Sequence, residues 1–136
     1  MIRPIVHDLF LLSRPSEPAC AADSAVADDL LDTLRAHRED CVGMAANMIG
    51  VCKRIIVFDL NGTLTEMFNP RILKQSGGYD TEEGCLSLAS VRPVRRFRSI
   101  KVQWETRDGK PRIQTFTGFP AQIIQHELDH CNGILI

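Results

Sequence analysis

No stretch of this chain approaches the roughly 18 consecutive apolar residues a membrane helix needs, and no basic start leads into an apolar run with a small-residue cleavage site. Membrane insertion and secretion are therefore not expected. A net charge of −1 and a pI near 6.4 supply no general attraction to nucleic acid or anionic lipid. The cysteines Cys20, Cys41, Cys52, Cys85 and Cys131 are odd in number and lack the spacing of a disulfide scaffold, which points to a reducing cytoplasm. Internal repeats and low-complexity runs are missing as well, and no composition break divides the chain. What remains is 136 residues, 44% of them hydrophobic, enough to bury one core, so a single domain over 1–136 is expected.

The strongest positive signal is His126-Glu127-Leu128-Asp129-His130, an HExxH pattern. On a helix of 3.6 residues per turn, histidines four apart share a face and can hold one divalent ion. Glu127 then lies beside the open coordination position, placed to move a proton. The bland alternative is an amphipathic helix with two surface histidines. An open mononuclear site needs a third protein ligand, and Cys85 in Glu83-Gly84-Cys85-Leu86-Ser87 offers a soft thiolate suited to Zn or Fe(II). Its own bland alternative is a small buried hydrophobe. Upstream, Ser76 to Asp80 reads as a flexible stretch.

Glu83–Ser87 followed by the HExxH segment resembles peptide deformylase, whose signature segments include EGCLS and HExxH. The family's other segment, GxGxAAxQ, corresponds to Cys41-Val42-Gly43-Met44-Ala45-Ala46-Asn47-Met48, and all three come in the family's order. The resemblance runs from about Asp23 to the C-terminus. It implies a metallohydrolase that removes the N-terminal formyl group of formyl-methionyl peptides and releases formate. Cys85, His126 and His130 would be the ligands of one divalent metal, Fe(II) in most of the family, with Zn, Ni or Co able to replace it. Glu127 would be the general acid/base, and the Leu86 backbone N–H an oxyanion donor. Gly43, Met44, Met48 and Arg92 are the expected substrate-binding positions. The ribosome is implied as a partner, without a C-terminal docking extension, because only six residues follow His130.

Two departures stand in the first segment. Cys41 replaces the family's leading glycine, and Met48 replaces the glutamine whose side-chain amide helps bind the formyl oxygen. Methionine cannot donate a hydrogen bond, and losing one oxyanion donor costs on the order of 3 kcal/mol in the transition state. Asn47 carries an amide but is expected to point elsewhere. Two competing readings follow: a deformylase-like paralogue with an altered amide substrate, and a non-catalytic protein that binds metal or peptide. Met44 and Met48 either fill core space or line an apolar pocket. The run Arg92 to Arg98 reads for the most part as a solvated edge, His7 and His37 as surface or satisfied core histidines, and Cys131 as core.

Periodicity predicts a helix capped by Asp23 or Ser24, with Val26, Leu30, Leu31 and Leu34 on its apolar face, ending near His37–Asp40. Ile55–Leu60, Asn61-Gly62 and Thr63–Phe68 predict a hairpin with a type I′ turn. Ile100–Thr106, Asp108-Gly109 and Arg112–Thr117 predict a second. Gly118-Phe119-Pro120 opens the last helix, with Ile123, Ile124 and Leu128 as its buried stripe. The fold class expected is α+β: small antiparallel sheets packed around a C-terminal HExxH helix, as in peptide deformylases.

Overall fold

The computed structural model describes residues 1–136, the Ala89 side chain excepted. In chain order it runs α1 (Leu9–Leu12), α2 (Ser24–Ala36), β1 (Gly43–Ala45), β2 (Ile55–Leu60), β3 (Thr63–Cys85), β4 (Leu88–Glu105), β5 (Pro111–Thr117) and α3 (Gly118–Cys131). Short 3₁₀ turns at Ala21–Asp23 and Ala46–Ile49 connect them. No helix is long and apolar enough to cross a membrane.

The two expected hairpins are present, yet they are parts of one five-stranded antiparallel sheet in the order β1-β2-β3-β4-β5. Asn61 and Gly62 both take positive φ (51° and 97°), as a type I′ turn requires. β3 is long because it serves two partners. It pairs with β2 as far as Phe68 and with β4 from there to Cys85, with a register shift between Phe68 and Arg71. Asn69 (φ 51°) marks that bend, and its amide accepts from the Ala19 N–H at 2.7 Å and donates to the Ala19 carbonyl at 2.8 Å. Ser76–Asp80, expected to be flexible, is instead strand: Ser76 pairs with Ser99, Gly78 with Phe97 and Asp80 with Arg95. Glycine content signals freedom only when no partner is available, and β4 supplies one.

β2 decides where the helices go. Its run Ile55-Ile56-Val57-Phe58 is buried on both faces: Ile56 and Phe58 join the core beneath α3, while Ile55 and Val57 join a second core beneath α2. The α2 side chains Ala27, Leu30 and Leu34 close that second core. Asp23 is the N-cap, but its carboxylate folds back to accept from the Cys20 N–H at 2.9 Å and leaves the helix donors alone. α3 is enclosed almost throughout, with Ile123, Ile124 and Leu128 in the core as expected and Cys131 among them. Gln125 ties this helix to the sheet, accepting from the Phe97 N–H and donating to the Phe97 carbonyl, each at 2.8 Å.

Candidate metal centre and active site

β3 and β4 form a long hairpin whose tip is the two-residue loop Leu86-Ser87, since Cys85 pairs directly with Leu88. The hairpin thus carries Cys85 to α3, far away in sequence. Cys85 Sγ lies 3.3 Å from His130 Nε2, and that nitrogen lies 3.3 Å from His126 Nε2. Three donors converge within 4.8 Å of one another. Two nitrogens bound tetrahedrally at about 2.0–2.1 Å from one ion would sit about 3.3–3.4 Å apart, so the spacing and the S/N/N chemistry of this set fit a divalent metal.

The neighbouring charges orient these donors. His126 Nδ1 and Glu83 Oε1 are 2.8 Å apart, leaving Nε2 for the ion. Glu83 in turn accepts from Arg96 Nη2 at 2.7 Å and Nε at 3.0 Å, and Arg96 Nη1 donates to Asp129 Oδ2 at 2.7 Å. Although burial opposes it, the donors His126, Arg96 and Gln122 hold the Glu83 carboxyl down to about 2. Burial together with the nearby His126 charge keeps His130 well below the usual imidazole range, so it presents a free lone pair. For His126, the Cys85, Glu127 and Glu83 contacts overcome the burial penalty and raise its proton affinity, which makes ion binding compete with a proton.

Glu127 is 3% exposed, and its Oε1 has no hydrogen-bond partner among the described residues. Burial pushes its carboxyl up to about 7. Such an acceptor persists in a folded protein when something else occupies the space before it. Glu127 also forms part of the wall of a cavity of about 500 Å³, together with Gly43, Met48, Cys85, Leu86 and His126 among others. Gly43 is there for a steric reason: a Cβ would lie 2.7 Å from Ile123 Cγ2 and 2.9 Å from Glu127 Oε2.

The other sequence-nominated positions divide. Met48 is 1% exposed on a 3₁₀ turn, serving both as cavity lining and as core. Met44 does not reach the cavity; strand alternation turns it to the opposite face from Gly43, into the core under α2. Arg92 is absent from the lining too, and its guanidinium donates to the Leu135 carbonyl at 3.3 Å. Asn47 Nδ2 donates to the His130 carbonyl at 2.9 Å, so its amide faces away from the cavity as expected. The run Arg92–Arg98 is not all solvated edge, because Arg96 is 4% exposed at the centre of the ion-pair network. Neither Arg96 nor Gln122 carried a sequence signal; only the pairing of Glu83 with the HExxH helix in space selects them.

A cysteine sulfur and two imidazoles that could hold one ion, beside a buried carboxylate in the wall of a cavity, are the make-up of the HExxH metallohydrolase class. Comparison with known proteins narrows it. The family model for polypeptide deformylase matches residues 4–136. A peptide deformylase of Clostridium beijerinckii is 52% identical over 136 residues, covering 100% of both chains. A class I type b peptide deformylase from Acinetobacter baumannii, solved with Met-Ala-Ser bound, superposes with a TM-score of 0.89 at 31% identity, over 99% of this chain and 97% of that one. A Legionella pneumophila peptide deformylase gives 0.89 at 34% identity, over 99% and 83%. The chain belongs to the polypeptide deformylase family and is a hydrolase. The family carries a divalent metal ion and acts on formylated peptides.

Proposed function

We propose that residues 1–136 act as one domain that hydrolyses the N-terminal formyl group of formyl-methionyl peptides to formate and a free amine. The observation that carries this reading is Glu127 Oε1, buried and unpartnered beside three converging metal donors. Cys85, His126 and His130 would hold one ion, Fe(II) in the native protein, with Zn, Ni or Co as substitutes. When bound, the ion supplies Lewis-acid polarisation of the formyl carbonyl and makes a water acidic near neutral pH. Glu127 takes a proton from the attacking water on Oε1 and returns it to the departing amine; a carboxyl held near 7 suits both halves of that task. The Leu86 backbone N–H, at the hairpin tip, donates to the carbonyl oxygen as its charge develops. Met48 supplies no second donor, which predicts a lower kcat and leaves the mechanism intact.

Gly43, whose missing side chain lets α3 close on β1, would meet the substrate through its backbone at the cavity wall, while Arg92, beyond that wall, would contact the substrate only in its more distant part. Nascent chains are the natural source of formyl-methionyl termini, which places the work in the cytoplasm beside the ribosome. The full-length likeness to a named deformylase favours this reading over an altered amide substrate or a metal-binding protein without turnover. The Acinetobacter relative was captured with Met-Ala-Ser, the peptide that deformylation of formyl-Met-Ala-Ser leaves behind. The test is formate release from formyl-Met-Ala-Ser by anaerobically purified protein, with the metal content of the same sample measured. Metal-loaded, folded protein that releases no formate would refute the proposal.

A further inference from the structure

Gln122 lines the cavity one helical turn before His126 on α3. Its Nε2 donates to Glu83 Oε2 at 2.9 Å, the single partner of this amide among the described residues. The partner also settles which way round the amide sits. Glu83 already receives Arg96 on both oxygens and faces His126 on Oε1, so it can only accept, and Gln122 must turn its NH₂ toward it. Gln122 Oε1 is left as the unengaged acceptor of a side chain that forms part of the cavity wall.

Phe119, Gln122, Ile123 and His126 follow an i, i+3, i+4, i+7 stripe along α3, and all four line the cavity. With a rise of about 1.5 Å per residue, Gln122 lies about 6 Å along the axis from His126, and Phe119 about 10 Å. A substrate whose scissile carbonyl sits at His126 and Glu127 can lay its first side chain along this stripe. The far end of a four-atom side chain, about 5 Å long, then comes level with Gln122.

We propose that Gln122 is a specificity-determining residue whose side-chain carbonyl accepts a hydrogen bond from the end of the substrate's first side chain. The cavity then takes N-formyl peptides beginning with glutamine, an amide donor of methionine's length, alongside formyl-methionyl ones. An apolar wall at this position would strip such an amide of water and return nothing, so discrimination against it would be strong. The proposal rests on the deformylase reading above.

Its test uses the full-length, metal-loaded protein and three peptides: formyl-Met-Ala-Ser, formyl-norleucyl-Ala-Ser and formyl-Gln-Ala-Ser. The native protein is expected to hydrolyse the glutamine and norleucine peptides with kcat/KM values within about tenfold of each other. Gln122→Met and Gln122→Leu are expected to shift that ratio against glutamine by about ten- to a hundredfold, in the range of a lost buried hydrogen bond. Because the ratio is taken within each variant, any general loss from the vacated Glu83 contact cancels. A ratio that both variants leave unmoved, while formyl-Met-Ala-Ser is still turned over, overturns the role of Gln122 alone. No turnover of formyl-Met-Ala-Ser by the native protein overturns the deformylase reading and this proposal with it.

Discussion

Replacing Glu83 tests whether the ion-pair network orients His126, the proposed metal ligand, or merely fills space. Its carboxylate accepts from Arg96 at 2.7 and 3.0 Å, and His126 Nδ1 lies 2.8 Å from it. Glu83→Ala removes these contacts and the one from Gln122, and leaves Arg96, 4% exposed, with Asp129 as its one carboxylate partner among the described residues. Breaking a buried pair on one side costs about 3–5 kcal/mol. Since Asp129 still neutralises Arg96, the lower end, about 3 kcal/mol, is expected here. For a chain of this size that corresponds to a fall in Tm of about 10 °C. The orienting role adds a separate effect: losing the partner of a metal-bound histidine weakens metal binding about 10- to 100-fold.

Two measurements keep these effects apart. Thermal unfolding of the metal-free protein reads the ion-pair loss, and competition against a calibrated chelator at a temperature where the variant is folded reads metal affinity. Glu83→Gln, which keeps an acceptor for His126 but lacks the charge that holds Arg96, should lose stability and retain most of the metal affinity. If Glu83→Ala lowered the Tm of metal-free protein yet bound metal as tightly as the native chain, Glu83 would be structural only, and the reasoning about His126 would fail.

Cys85→Ala should purify with little metal and no activity, because two imidazoles alone make a weak site; full metal occupancy would show that the third ligand lies elsewhere. Glu127→Gln should keep its metal and lose about a hundredfold or more in kcat, and unchanged turnover would remove it from the proton transfer. Gly43→Ala forces a methyl against Ile123 Cγ2 and Glu127 Oε2; about 1–3 kcal/mol of overpacking and a displaced carboxylate should lower kcat more than they raise KM, as steady-state kinetics would reveal. Met48→Gln restores a donor on the cavity lining and should raise kcat on formyl-Met-Ala-Ser by about tenfold or more, with Tm followed in parallel because position 48 is almost wholly buried.

The local features of this chain were determined by the sequence itself. The Asn61-Gly62 turn needs two positive φ angles, which few dipeptides accept, so it declares itself. The helical spacing of Leu30 and Leu34 requires a buried face, and HExxH puts two imidazoles one turn apart wherever that helix is placed. The same periodicity could not show that both hairpins belong to one sheet, because β3 carries its second partner beyond the Asn69 bend and pairs through a glycine-bearing stretch that looks like a loop. Nor could it separate Met44 from Gly43, whose opposite fates follow from which face of β1 meets α3. Arg96 stands in a basic run that reads as solvated, and only the meeting of β4 with Glu83 and Asp129 buries and neutralises it. Short-range rules fix what one turn or one strand can do; contacts between residues dozens of positions apart, such as Glu83 with His126 and Gln122, exist only once the chain has folded.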